Sequence, residues 1–126
     1  MTDTVARPEA AHLALGRRGE EQAAQHLESL GLVVLDRNWR CREGELDIVA
    51  TDYRSVIVCE VKTRAGLDFG DPGEAVTGEK IARIRRITSH WLRDRRVPWC
   101  PIRFDVVSVL VSPGGELQLK HFPAAF

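Results

Sequence analysis

Apolar residues recur along the chain with two different periods. From Pro8 to just before Gly31, the positions Leu13, Gly16, Ala23, Ala24, Leu27 and Leu30 fall at helical spacing. A proline in the first turn and a glycine past the last one bracket that segment as a helix. "LVVLDRNW" then reads as a strand and "RCREG" as a turn or loop. Two further strands, "ELDIVA" and "SVIVCEVKTR", are joined by the short link "TDYR". "AGLDFGDPGEA", with its glycines and proline, is expected as a loop. A second helix is predicted from about Gly73 or Thr77 to Arg95, with the stripe Ile81, Ile84, Ile87 and Trp91 and with Thr88 at its edge. "IRFDVVSVLV" is apolar on both faces and should be a covered strand. "PGG" turns the chain into an edge-like strand, "ELQLKHF". The order αβββαββ describes one α/β domain over residues 1–126, a mixed sheet flanked by helices. Residues 1–7 are expected to be frayed.

The exceptions to this pattern carry the chemistry. Glu45, Asp47, Glu60 and Lys62 lie inside two hydrophobic segments, where an unpaired charge is costly. An even-numbered hairpin link fixes which residues share a face. If Ala50 pairs with Ser55, Glu45 faces Glu60, and Asp47 becomes a diagonal neighbour of Glu60 at roughly 7 Å. Lys62 follows on the same face. Like charges so placed destabilise a sheet unless a cation sits among their oxygens. Hard oxygen ligands favour Mg²⁺, with Mn²⁺ as substitute, over zinc. A further carboxylate, Glu20, falls in the middle of the apolar stripe of the first helix. It is flanked by Gly16, Gly19 and Ala23, which would let that helix approach closely.

Composition narrows the classes. The chain has 126 residues, 44% of them hydrophobic and 29% charged, enough to bury a core without staples. No stretch approaches the roughly 20 apolar residues that span a membrane, so no membrane partner is expected. The N-terminus lacks the pattern of a secretory signal, which points to the cytoplasm. Cys41, Cys59 and Cys100 have neither zinc-site nor disulfide-framework spacing and read as reduced thiols. The formal net charge is zero, which argues against a purely electrostatic nucleic-acid coat. Basic residues nevertheless crowd the second helix. Arg83, Arg86, His90 and Arg93 fall opposite its isoleucine stripe, as a solvated face or as a phosphate-binding surface. The histidines show no partner spacing.

Together "GRRGEEQAAQHLESLG", "GELDIVA", "VCEVKTR", "EAVTGEKIARI" and "RFDVV" resemble the YraN-type family of small bacterial predicted endonucleases over about residues 12–110. That family is similar to the PD-(D/E)XK nuclease superfamily, nearest to archaeal Holliday junction resolvases. The resemblance implies a restriction-endonuclease-like fold. It also implies an acidic residue on the first helix, an Asp on a strand, and then (D/E)-x-K. Here these are Glu20, Asp47, Glu60 and Lys62, the residues the pattern had already singled out. Leu46 stands where the superfamily's proline would be. Glu45 and Asp105 belong to the family pattern as accessory positions.

The implied activity is Mg²⁺-dependent hydrolysis of phosphodiester bonds in DNA, including branched or junction DNA. Asp47, Glu60 and the Val61 backbone carbonyl would hold the metal. Glu20 would complete the site through water or a second ion, and Lys62 would orient or deprotonate the attacking water. Arg64, Arg83, Arg86 and Arg93 would hold the nucleic-acid backbone. Because junction resolvases use two sites, the likeness also implies a homodimer. Two other readings stay open on the residues alone. One is a non-catalytic nucleic-acid-binding module on the same fold. The other is a structural domain in which Lys62 neutralises Glu60 and Asp47.

Overall fold

Both periods yield the elements they predict. The computed structural model describes residues 8–70 and 77–126. Helix α1 (Pro8–Ser29) leads into strands β1 (Val33–Cys41), β2 (Gly44–Thr51) and β3 (Val56–Ala65). Helix α2 (Gly78–Asp94) and strands β4 (Ile102–Val111) and β5 (Leu117–Phe122) follow. The five strands form one sheet in the order β1-β2-β3-β4-β5. Neighbours are antiparallel except β3 and β4, which run parallel with α2 as their crossover. This is a single α/β domain with a mixed sheet, compatible with a restriction-endonuclease-like fold. The expected fraying of residues 1–7, the alternative helix start at Gly73 and the end of the glycine-rich loop lie outside the described residues.

Each helix covers one face of the sheet. Ala23, Ala24 and Leu27 of α1 pack on Ile48, Cys59, Val107 and Val109. Ile84, Ile87 and Trp91 of α2 pack on Leu46, Val49, Val56 and Val58. Strand β4 is buried from Asp105 to Val111, as its two-sided apolar pattern requires. Thr77 caps α2 through its hydroxyl, which accepts the Lys80 N–H at 3.2 Å. The Trp91 indole, at the far end of the same helix, donates to Asp36 of β1 at 2.7 Å. All three cysteines are free thiols.

Two ends of the predicted α1 stripe are not core. Leu13 is 64% exposed and Leu30 56% exposed. Leu13 precedes the stretch where α1 meets the sheet, and Leu30 already lies in the turn that closes at Gly31. The "RCREG" loop is also shorter than expected. Strand continues through Cys41 and resumes at Gly44, leaving a two-residue turn at Arg42–Glu43.

The β2–β3 register differs from the expected one by two residues. Thr51 pairs with Val56 and Ala50 with Ile57. The cause is Asp52. Its Oδ1 accepts the N–H groups of Arg54 at 2.8 Å and Ser55 at 2.7 Å, a side-chain turn that makes Asp52–Ser55 the link. The link is still even, so the residues keep their facing sense while Asp47 moves directly across from Glu60.

Helix α1 approaches β3 at Gly19. A Cβ built there would lie 1.8 Å from Thr63 Oγ1 and 2.8 Å from Thr63 Cβ, a clash that only displacement relieves. Gly19→Ala should therefore lower stability by about 1–3 kcal/mol, measured by denaturant unfolding. Adding Thr63→Ala should restore part of that loss. Additive losses in the double variant would show that the two residues do not share this contact.

Candidate functional site

The site begins with a break in the pleat. Residues two apart on a strand share a face. Yet Leu46 packs in the α2-side cluster and Ile48 in the α1-side cluster. On β1 the same reversal separates Arg37, which pairs with Glu21 of α1, from Trp39, which packs on the α2 side. Between them Asn38 takes a left-handed conformation (φ 52°), one that asparagine tolerates better than most side chains. The β1–β2 count places Asn38 beside Asp47, the residue between the two faces.

The β2–β3 ladder ends at Ile48–Cys59. One residue further on, the side chain of Asp47 takes over from backbone. Its Oδ2 accepts the Val61 N–H at 2.8 Å. Asp47 thereby bridges the point where β2 and β3 separate, and Glu60 stands next to it. Glu60 is 8% exposed, and its Oε2 is buried with no hydrogen-bond partner.

A cleft of about 430 Å³ opens here, between the β1–β2 turn, the β3 strand and α2. It is lined by Glu43, Glu45, Asp47, Glu60, Val61, Lys62, Lys80 and Arg83 among others. A smaller hollow beyond Val61 and Lys62 brings in Glu20 and Thr63. A third, along α1, joins Glu20 to Arg17, Asn38, Arg40 and Glu45.

The electrostatics follow from this packing. Burial, reinforced by the Asp47 charge, pushes the Glu60 carboxyl up to about 8, although Lys80 opposes it. Asp47 is also raised. Burial is the main cause, the Val61 N–H works against it, and the charges of Glu20 and Glu45 add to it. Glu20 is therefore close enough to be felt at Asp47, from the α1 side of the sheet. Two carboxyls that cannot both ionise cheaply form an acidic pair awaiting positive charge. Among the described residues no three carboxylate, imidazole or thiol groups form a ready-made metal cage.

The other expected site residues divide. Lys62 is exposed and lines both the cleft and the Glu20 hollow, with no ion-pair partner among the described residues. The cation beside Glu60 is instead Lys80, whose Nζ lies 4.0 Å from Oε1. Lys62 thus does not neutralise Glu60 and Asp47 as the structural alternative supposed. Arg83 lines the cleft. Arg86 turns to Glu43 at 3.7 Å, and His90 joins the same carboxylate at 3.2 Å. Arg93 lies beside His90, further along α2. Arg64, near the end of β3, donates to the Phe69 carbonyl in the segment that follows the strand, at 2.8 Å. Glu45, at the rim, is held by Arg40 at 2.9 Å.

Asp105 is fully buried on the α1 side of β4, apart from the cleft. Its oxygens accept two bonds from Arg103 at 2.8 Å, one from the Ala124 N–H at 3.0 Å, and meet His121 Nε2 at 2.7 Å. His121 Nδ1 in turn lies 3.0 Å from His26 Nε2. Burial pushes the Asp105 carboxyl up, but these partners outweigh it and leave it below its ordinary value. Asp105 is an anchor tying β5 and the C-terminal turn to the sheet. Its two histidines lie 95 residues apart, so no spacing could reveal them. Lys80 was also missed as a site residue. Its signal was a lysine in the first turn of a helix, where the dipole disfavours a cation.

The class is thus an α/β domain whose sheet forks at an acidic pair, with lysines and an arginine on the walls of the cleft. Residues 19–109 match the family described as "Uncharacterised protein family UPF0102", and the chain belongs to that family. It is 51% identical over 113 residues to a UPF0102 protein of Frankia alni, covering 90% of this chain and 94% of that one. A UPF0102 protein of Nocardia farcinica is 52% identical over the same length, covering 90% and 89%. One from Acidothermus cellulolyticus is 49% identical over 123 residues. No helix among the described residues is long and apolar enough to cross a membrane.

The raised Glu60 carboxyl has a testable sign. An acid whose folded pKa is raised stabilises the fold fully below its unfolded value, and that contribution is lost as pH rises through the folded one. Removing the charge should therefore help most in alkali. Glu60→Gln is expected to raise the melting temperature relative to the parent at about pH 9 and to change it little at about pH 5. An equal shift at both would mean that the ionised carboxylate carries no penalty.

Proposed function

We propose that this protein is a metal-dependent endonuclease of the YraN type, hydrolysing phosphodiester bonds in DNA, with branched or junction DNA as the first substrates to test. The observation that carries this reading is the Asp47–Glu60 pair, a half-buried and a buried carboxyl from neighbouring strands, with an oxygen of Glu60 left unpartnered in a cleft that Lys62, Lys80 and Arg83 also line. An oxygen donor set of this kind fits a hard divalent cation, Mg²⁺ or Mn²⁺. Magnesium takes one or two carboxylates and keeps waters, so two carboxyls plus the Val61 carbonyl suit it better than a closed cage would.

In this mechanism Asp47 and Glu60 hold the ion, and Glu20 supports it from the α1 side. When bound, it supplies positive charge against the phosphate and acidity to water. The residues of the chain do the remainder. The Val61 N–H fixes Asp47 in one orientation. Lys62, exposed and on the cleft wall, holds the attacking water in line with the phosphorus or takes its proton. Arg83, with Arg86 and Arg93 further along α2, contacts the backbone without reading sequence. Arg64, two residues past Lys62, holds the segment after β3 through the Phe69 carbonyl. Burial keeps the acidic pair from being satisfied by bulk water, which raises its demand for a cation.

Pure protein incubated with branched DNA and Mg²⁺ should cleave it. Lys62→Ala should be slower by about 10²–10⁴-fold, the range for losing a positioned acid–base group. Asp47→Asn should be at least as slow. Equal cleavage by all three proteins would mark a contaminant and end the enzyme reading. Binding without cleavage across substrates in Mg²⁺ and Mn²⁺ would favour a nucleic-acid-binding module. In a second measurement, saturating Mn²⁺ should raise the melting temperature of the parent. About 2.7 kcal/mol is gained at a hundredfold excess over Kd. Asp47→Asn should lose most of that rise.

A further inference from the structure

Lys80 occupies a place that local helix physics disfavours. It sits in the first turn of α2, three residues past the Thr77 cap, where exposed N–H groups favour negative charge. Its side chain leans over the cleft toward Glu60, and the ion pair it makes there is incomplete. The ammonium is 4.0 Å from Oε1, and Oε2 has no partner. The two members also differ in freedom. The Glu60 side chain is 10% exposed and fixed on a central strand, whereas that of Lys80 is 37% exposed and on a flexible four-carbon stem. One turn further, Arg83 lines the same wall.

We infer that Lys80 is the resident counter-cation of the acidic pair, exchanged for the divalent ion and then available to the substrate phosphate. The inference rests on the proposed nuclease reading and deepens it. A divalent cation entering between Asp47 and Glu60 competes with the ammonium for the same carboxylate. Once displaced, Lys80 is repelled by both that ion and Arg83. Its remaining direction is out along the cleft, where a phosphate oxygen would lie. Lys80 is then a positioning residue in the free protein and a phosphate contact in the complex. Metal entry and substrate grip are coupled through one side chain. Lys62, on the opposite wall and without an ion-pair partner among the described residues, keeps its place throughout.

The experiment is a titration of the whole protein with Mn²⁺, free ion being read by its electron paramagnetic resonance signal. The proteins compared are the parent, Lys80→Gln, Lys80→Arg and Glu60→Gln. With the competing charge removed, Lys80→Gln should bind Mn²⁺ roughly tenfold tighter, and Lys80→Arg should stay near the parent. At saturating Mn²⁺, Lys80→Gln should nonetheless cleave branched DNA about tenfold more slowly than the parent, as expected for a lost phosphate contact. Uptake by the parent that is lost in Glu60→Gln but unchanged in Lys80→Gln would overturn the role of Lys80 while leaving the nuclease reading in place. Equal cleavage by parent and Lys80→Gln at saturation would overturn its phosphate role. No Mn²⁺ uptake by any of the four proteins, with or without DNA, would remove the nuclease reading and this inference together.

Discussion

The hydrogen bond from Val61 N–H to Asp47 is the contact on which the site depends. It replaces a ladder bond at the point where two antiparallel strands part. A buried backbone N–H left without an acceptor costs about 1–3 kcal/mol, so the fork needs an acceptor from a side chain. An aspartate is short enough to supply one from the neighbouring strand. The same carboxyl thereby stands beside Glu60. Backbone satisfaction and the unusual electrostatics of the cleft have one cause.

Much of this was legible in the residues. Period and punctuation placed both helices and all five strands, because each element buries a stripe or a face that its own sequence marks. The acidic positions were legible too, since charges inside "GELDIVA" and "SVIVCEVK" violate the apolar pattern around them. Register was less accessible. It turned on Asp52 folding its own link, a local hydrogen-bond choice that pairing rules do not contain. The face of Asp47 was less accessible still. Strict alternation put it on a common face with Glu45, whereas the left-handed Asn38 opposite breaks that alternation. Partners distant in sequence were invisible: nothing near His26 announces His121, and nothing near Glu60 announces Lys80.

The two faces of the sheet divide their labour. On the α1 side Asp105 is saturated by a guanidinium, an imidazole and a backbone N–H, and its buried charge is fully compensated. On the α2 side Glu60, equally surrounded by apolar strand, has one loose cation and an unpartnered oxygen. Both carboxylates sit on adjacent central strands, a residue apart in the parallel ladder. The contrast separates a charge compensated where it stands from one left short of partners more clearly than burial alone.

The three strands β1, β2 and β3 form one uninterrupted meander, and Asp47 and Glu60 belong to the same hairpin of it. Closing a short chain segment costs less entropy than bringing β4 back alongside β3 across the whole of α2. Contacts this local are the ones a chain can make first as it folds. The acidic pair would then come together before the helix that carries Lys80, Arg83 and Arg86 has docked. Until it does, the nascent hairpin holds its least tolerable charges with no cation beside them. Folding of this domain should accordingly respond to whatever small cations the surrounding solution offers at that moment.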